Sequence, residues 1–142
     1  MISVEATADD ASQIVLALST EDVRKEYQPS QFSLTLEVTV GKELSLSLTC
    51  RNDSESMFQI SQALHSYFRI SQLTEVAVTG LDETQYLDKC SNLQVKQQQG
   101  PLVFDREVDR IYQSVSHPTE LSDRSLGRNI RINSRGSGSV VV

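Results

Sequence analysis

The sequence contains no long apolar run and none of the short motifs that mark common cofactor sites. No stretch approaches the ~18 consecutive apolar residues of a membrane span, and the N-terminus lacks the basic and then apolar segments of a secretory signal. Gly-x-Gly-x-x-Gly, the Walker loop, Cys-x-x-Cys and His-Glu-x-x-His are all absent. We therefore expect a cytoplasmic protein with no membrane partner, and the motifs give no reason to expect a cofactor.

Basic residues are also scarce. Lys and Arg number 13 against 19 Asp and Glu, which gives a net charge of −6 at pH 7. Nucleic acids and anionic membranes are bound through fields of Lys and Arg, so the charge has the wrong sign for either partner. Two cysteines, Cys50 and Cys90, and two histidines are far apart in the sequence and make a poor set of metal ligands. We predict no nucleic-acid partner, no metal and two free thiols, as in a reducing compartment.

Helical periodicity is missing as well, which leaves strands as the main regular structure. No stretch keeps a 3.6-residue apolar repeat over the ~11 residues of an average helix. Apolar and polar residues instead alternate in residues 32–40 and 44–50, as in half-buried strands. Further strands are predicted at residues 13–18, 75–79, 108–115, 128–133 and 139–142. The pattern predicts one all-β domain over residues 1–142, an antiparallel β-sandwich, with a small closed barrel as the alternative.

The two alternating stretches should form a hairpin, and their pattern fixes its loop length. Residues paired directly across an antiparallel ladder lie on the same face of the sheet. A three-residue loop, residues 41–43, pairs Val40 with Leu44 and Val38 with Leu46, all apolar. A two-residue turn would instead pair Val38 with Ser45. We predict the three-residue loop.

Residues 57–68 are predicted as a central strand with an apolar face and a polar face. The apolar face would carry Phe58, Ile60, Leu64 and Phe68. The opposite face has small and polar side chains and ends in His65 and Tyr67, so it resembles the floor of a polar cleft. An imidazole there can donate a proton near neutral pH, since its unperturbed pKa is ~6.5. The structural alternative is a histidine hydrogen-bonded within the sheet.

A second acidic feature lies near the predicted strand at residues 108–115. Asp109 lies between the apolar residues Val108 and Ile111 there, with Arg110 directly after it. It is a candidate site residue, and the structural alternative is a surface ion pair with Arg106 or Arg110. The second histidine, His117, precedes a proline in a polar turn and is interpreted as an exposed loop residue.

Five short motifs resemble those of a known family in order and approximate spacing. They are Arg-Asn-Asp-Ser at 51–54, Ala-Leu-His-Ser-Tyr-Phe at 63–68, Val-Thr-Gly-Leu at 78–81, Leu-Asp-Lys at 87–89 and Glu-Val-Asp-Arg-Ile-Tyr at 107–112. Over residues 14–142 the chain resembles the D-hexose-6-phosphate mutarotases, also called glucose-6-phosphate 1-epimerases. These are similar to aldose 1-epimerases and belong with them to the galactose-mutarotase-like superfamily.

The resemblance implies a fold, an activity and roles for two residues. The implied fold is a large β-supersandwich, and the implied enzyme is an isomerase that interconverts the α and β anomers of an aldohexose 6-phosphate without a cofactor. His65 matches the general acid that protonates the ring oxygen. Asp109 matches the aspartate that hydrogen-bonds the sugar hydroxyls. A glutamate near the C-terminus of the family acts as the base.

The chain also departs from the family. Members are about twice as long, and their N-terminal basic residues and further histidine find no match before Ile14, while the base glutamate is expected beyond Val142. The chain therefore resembles the central part of an epimerase and by itself can be inactive. The alternative function is a non-catalytic carbohydrate-binding or interaction module of the same fold. Exposed strand edges would favour self-association.

Overall fold

The computed structural model describes residues 2–6, 11–28 and 30–142, whose regular structure is strands and short 3-10 turns. All strand pairs are antiparallel, which confirms the predicted all-β antiparallel class. In these residues, no helix has the length and apolar character that a membrane crossing requires. The chain divides into two compact units, Met1–Leu64 and His65–Val142. The expectation of one domain over residues 1–142 stays a prediction.

The N-terminal unit contains one four-stranded sheet in the order β1-β2-β3-β4. Its strands are β1 (Ile2–Ala6), β2 (Ser12–Ser19), β3 (Phe32–Val40) and β4 (Leu44–Asn52). Two 3-10 turns, Thr20–Asp22 and Lys25–Tyr27, connect β2 to β3. Each strand pairs with its neighbour in sequence, so short connections suffice throughout the sheet.

The β3–β4 hairpin has the predicted three-residue loop. Val40 pairs with Leu44 and Val38 with Leu46, so the apolar side chains of both strands share one face. This face is only partly covered: Val40 is 52% and Leu44 65% exposed. The alternation therefore determined the register although it did not produce a fully buried core here.

The predicted central strand at residues 57–68 is wrong. Residues 57–70, called the His65 segment below, form no strand in the part of the chain that the structure describes. Phe58, from the expected apolar set, contacts an aromatic residue of β3, with its ring centroid 6.4 Å from that of Phe32. A strand needs a neighbour to satisfy its backbone, and Gln62 and Ser66 interrupt the apolar face that would have packed such a strand.

The C-terminal unit contains two four-stranded sheets, β11-β10-β5-β8 and β12-β9-β6-β7. The strands are β5 (Val76–Thr79), β6 (Gln85–Asp88), β7 (Gln94–Gln97), β8 (Leu102–Val103), β9 (Arg110–Gln113), β10 (Thr119–Asp123), β11 (Arg128–Ile132) and β12 (Ser139–Val141). Two 3-10 turns, Leu73–Glu75 and Lys89–Ser91, precede β5 and follow β6. The predictions at 75–79, 108–115, 128–133 and 139–142 are each confirmed by a slightly shorter strand.

Side chains from both sheets of this unit form its core. Val78 and Leu102 come from one sheet, Tyr86 and Tyr112 from the other, and Leu81 from the loop after β5. All are buried. The sheets therefore pack as a sandwich, in agreement with the expected architecture.

Gly80 permits the close approach of the loop after β5 to the start of β10. Its φ is +82°, and a Cβ at this position would lie 2.4 Å from the carbonyl oxygen of Pro118. We expect Gly80→Ala to lower the free energy of unfolding by roughly 2–4 kcal/mol, because the left-handed backbone and the clash both oppose a side chain. Urea denaturation measures this loss.

The matched control is Gly136→Ala. Gly136 also has a positive φ, +75°, but a Cβ there would meet nothing within 4 Å. It should lose only the backbone contribution, about 1–2 kcal/mol. Equal losses in the two variants would contradict the close-approach explanation.

Candidate active site

His65 has an exposed imidazole at the start of the C-terminal unit. Among the residues that the structure describes, no hydrogen bond or ion pair engages its side chain. The alternative of a histidine hydrogen-bonded within a sheet is therefore wrong. The neighbouring Tyr67 is 91% exposed, so these two side chains lie open to solvent, where the sequence predicted a cleft floor. An imidazole without a competing partner can exchange protons with a ligand.

The His65 segment is held at its C-terminal end by a buried carboxylate. Asp123, the last residue of β10, accepts hydrogen bonds from the backbone N–H and the hydroxyl of Ser71, each at 2.7 Å. The Leu126 N–H donates to the same carboxylate at 3.0 Å. Burial raises the pKa of Asp123, but these donors more than offset the burial, so the pKa lies below its usual range. The carboxylate is therefore ionised at neutral pH.

Arg128 reaches the same end of the segment from the neighbouring strand. Residues 123 and 128 are directly paired across β10 and β11, and the Arg128 guanidinium donates to the backbone carbonyl of Arg69. Its buried Nε has no hydrogen-bond partner among the residues that the structure describes. Nothing in the sequence pattern indicated that Asp123 and Arg128, called the anchor pair below, would contact residues 69–71.

Asp109 lies directly before β9 and forms an ion pair with Lys89. Its carboxylate is 2.6 Å from the Lys89 Nζ. The backbone N–H of Lys89 also donates to the Asp109 carbonyl, at 2.9 Å, because the two residues extend the ladder that pairs β6 with β9. The alternative of a pair with Arg106 or Arg110 is wrong. Arg106 pairs with its neighbour Asp105, and Arg110 donates to Gln98.

A polar cavity of about 350 Å³ lies on the Arg110 side of β9. Asp88, one of its lining residues, accepts hydrogen bonds from Lys96 at 2.6 Å and Ser91 at 3.0 Å. The hydrogen bond from Lys96 holds the pKa of Asp88 below its usual range, although burial opposes it. The remaining lining residues are Tyr86, Cys90, Arg106, Glu107 and Arg110.

A buried phenol, Tyr112, is linked through Gln98 to Arg110, which lines this cavity. The Tyr112 hydroxyl donates to the Gln98 side-chain oxygen at 2.7 Å, and Arg110 donates to that same oxygen at 2.8 Å. Burial raises the pKa of the Tyr112 phenol. The Arg110 guanidinium also lies 4.6 Å from the ring centroid of Tyr86, a cation–π distance. This network fixes the start of β9, and with it Asp109.

The two sequence-derived candidates are not joined to each other. No hydrogen bond or ion pair links His65 to Asp109 within the described residues, and those residues contain no cluster of His, Cys, Asp and Glu that could hold a metal ion. Cys50 and Cys90 are both free thiols. An imidazole and a carboxylate, as at His65 and Asp109, can transfer protons and form hydrogen bonds with a ligand.

Comparison with known proteins gives a consistent result. The sequence profile of the family described as aldose 1-epimerase matches residues 3–142, so the similarity begins before Ile14, where the motifs had placed it. The chain is 31% identical over 137 residues to a protein of Cenchrus ciliaris named "Putative glucose-6-phosphate 1-epimerase". An Escherichia coli protein of the same name is 27% identical over 127 residues.

The chain spans less than half the length of these relatives. It covers 40% of the Cenchrus ciliaris protein and 42% of the Escherichia coli protein, while 91% and 87% of this chain is aligned. A crystal structure of a "putative mutarotase" from Salmonella typhimurium matches 99% of this chain and 47% of that chain, with a TM-score of 0.85 and 25% identity. This likeness confirms the expected mutarotase-like fold.

Asp88 provides a test of the electrostatics beside this site. We expect Asp88→Asn to lower the free energy of unfolding at neutral pH, because the hydrogen bond from Lys96 loses its charged acceptor. The pKa of Asp88 is lower in the folded chain than in the unfolded chain, where it is ~3.9. Its contribution is therefore fully present above that value and is lost as the pH falls through the lower folded pKa.

The difference in the free energy of unfolding between wild type and Asp88→Asn should therefore decrease as the pH is lowered. Urea denaturation at a series of pH values measures this difference. Glu107→Gln is the matched control, since Glu107 lines the same cavity but forms no ion pair in the described residues. It should stay close to wild type at neutral pH. A gap for Asp88→Asn that persisted unchanged to the lowest pH would contradict this assignment.

Proposed function

The chain belongs to the aldose 1-epimerase family, and from that premise we propose that it acts as a hexose-6-phosphate 1-epimerase, an isomerase that interconverts α and β anomers. The observation that carries the proposal is that three curated relatives share the name "Putative glucose-6-phosphate 1-epimerase". The substrate is a small-molecule sugar phosphate, and the reaction uses no cofactor. A cytoplasmic location is part of the proposal and is supported by the two free thiols.

His65 is the proposed general acid. Its exposed imidazole, when protonated, donates a proton to the ring oxygen while a carboxylate base takes the proton of the anomeric hydroxyl. The bond between the anomeric carbon and the ring oxygen then breaks, which leaves an aldehyde and a hydroxyl. Rotation of the aldehyde end and reclosure on its other face return both protons and give the other anomer. No net oxidation or reduction occurs.

Asp109 is the proposed ligand of the sugar hydroxyls. An ionised carboxylate has about four acceptor positions, and the Lys89 ammonium occupies one side of this one at 2.6 Å. The remaining positions can accept hydrogen bonds from a sugar. Lys89 fixes the orientation of the carboxylate, and the pair is half-exposed, so a ligand can reach it.

Anomer exchange in glucose 6-phosphate, measured by magnetisation-transfer NMR against buffer, tests the proposal. The assay is run on this chain and on any longer form that its coding sequence encodes. In the form that is active, we expect His65→Asn to reduce the exchange rate by ~10²–10⁴-fold, the usual contribution of a positioned acid. If the 142-residue chain is itself active, Asp82, Glu83 and Glu107 are the first candidates for the base.

The matched control is His117→Asn, because His117 is also exposed but lies in the turn before β10. It should exchange anomers at the wild-type rate. Normal exchange in His65→Asn would contradict the assignment of the acid. Binding of glucose 6-phosphate without exchange in every form of the protein would favour the alternative, a non-catalytic carbohydrate-binding module.

We further propose that the chain self-associates through exposed strand edges. β4 is an outer strand of its sheet, and its Leu44 and Leu46 side chains are 65% and 39% exposed. Pairing at this edge would place Leu44 and Leu46 beside side chains of the partner strand on the same face of the sheet. Sedimentation velocity should show oligomers whose fraction rises with concentration and falls in Leu46→Lys, whereas Ser45→Lys, on the opposite face of the strand, should change it less. A monomer at every concentration would refute the proposal.

A further inference from the structure

We propose that Asp123 and Arg128 are positioning residues for His65, acting by fixing the end of the segment that carries it. The inference rests on the proposed role of His65 as the acid, and nothing in the known similarities assigns a role to this pair. It concerns residues 65–128 of the C-terminal unit, in which all the contacts lie.

The Asp123 carboxylate is buried and therefore needs hydrogen-bond donors from the protein. Asp123 is only 1% exposed, and a buried carboxylate is strongly disfavoured unless donors replace its water. Ser71 supplies both a backbone N–H and a hydroxyl at 2.7 Å, one to each carboxylate oxygen. Such short, charge-assisted hydrogen bonds are about twice as strong as neutral ones. Undocking of Ser71 would therefore leave a buried charge with fewer partners.

Arg128 adds a second point of attachment close to the first. It is paired with Asp123 across β10 and β11, so a positive charge lies beside the carboxylate, and its guanidinium donates to the Arg69 carbonyl. The segment is thus held at Arg69 and through Ser71, the residue directly after it, by two paired positions of one hairpin. Attachment at both residues restricts the direction in which the chain runs back from Arg69 towards His65.

The His65 segment needs this attachment because it has no strand neighbour. Residues 57–70 form no ladder among the described residues, and the side chains at 59–69 are exposed. Few buried contacts and no ladder are the marks of a segment that opens locally. A general acid contributes only when it is held within reach of the atom it protonates. The anchor pair supplies order that the segment cannot supply for itself.

Three variants test the inference through the order of residues 65–71. Asp123→Asn removes the charge from the carboxyl site, and Ser71→Ala removes only the hydroxyl bond and leaves the backbone N–H in place. Glu120→Gln is the matched control, since it neutralises a carboxylate on the same strand, β10, that forms no hydrogen bond or ion pair in the described part. The measurements are amide hydrogen exchange and backbone ¹⁵N relaxation.

In Asp123→Asn, protection of the residue 71 amide should fall by ~10–100-fold, the loss expected for a hydrogen bond to a charged group. Relaxation order parameters of residues 65–70 should fall with it, while the core amides of Val78 and Tyr112 keep their protection. Ser71→Ala should show a smaller loss in the same residues and Glu120→Gln none. Because Ser71 is exposed, Ser71→Ala keeps the test decisive if Asp123→Asn does not fold.

Unchanged order at residues 65–71 in both Asp123→Asn and Ser71→Ala would overturn the inference. In the active form, these two variants should lower kcat more than they raise KM, because they misplace the acid and leave Asp109 intact. A loss of order without any effect on kcat would also overturn it. Absence of exchange in the wild-type protein would instead contradict the proposed function, so the two failures are distinguishable.

Discussion

Two buried tyrosines, Tyr86 and Tyr112, determine how the sheets of the C-terminal unit pack. Tyr86 and Tyr112 are cross-strand partners on β6 and β9, with ring centroids 5.1 Å apart. Aromatic rings fill much of a small core, but a buried phenol must find a hydrogen-bond partner. Gln98 accepts from Tyr112 and Arg110 lies over Tyr86. Packing of the two rings is therefore accompanied by a polar network, and that network fixes the start of β9, next to Asp109.

Two buried carboxylates at strand ends also form hydrogen bonds that fix the local backbone. Asp88 ends β6 and Asp123 ends β10, and each is buried with donors from a neighbouring loop or strand. In both cases the backbone leaves the sheet directly afterwards. Asp88 precedes Lys89, which orients Asp109, while Asp123 holds Ser71. Buried carboxylates with hydrogen-bond donors favour one arrangement of the residues around them, and here those residues include Lys89 and Ser71.

The sequence predicted the parts of the fold in which burial follows a simple alternation. The β3–β4 hairpin is the clearest case, because a one-residue shift would have moved every apolar side chain to the wrong face. β10 was missed because its buried face reads Thr119, Leu121 and Asp123, which has no apolar period. The prediction at residues 57–68 is wrong for the opposite reason. Its apolar residues favoured a strand, but the described part of the chain provides no strand that pairs with it.

The sequence also predicted only the part of the candidate site that depends on local motifs. Short motifs identified His65 and Asp109, whose roles remain proposals, and they did so because each motif is local. The contact between Ser71 and Asp123 joins residues 52 positions apart, and no local pattern can reveal it. The ion pair of Lys89 with Asp109 likewise depends on the pairing of β6 with β9, two strands of which the first was not predicted.

Because Ser71 and Asp123 are far apart in the sequence, their contact depends on other parts of the fold forming during folding. The carboxylate that receives Ser71 is oriented by the Leu126 N–H and by the pairing of β10 with β11, so its binding position does not exist until that hairpin has formed. Hairpins are local and form early, whereas closing a loop of this length carries a larger entropic cost. Pairing of β5 with β10 closes almost the same loop, since Val76 pairs with Asp123. Ser71 therefore reaches the carboxylate when this sheet is completed, and a chain without the β10–β11 hairpin has no binding position for it.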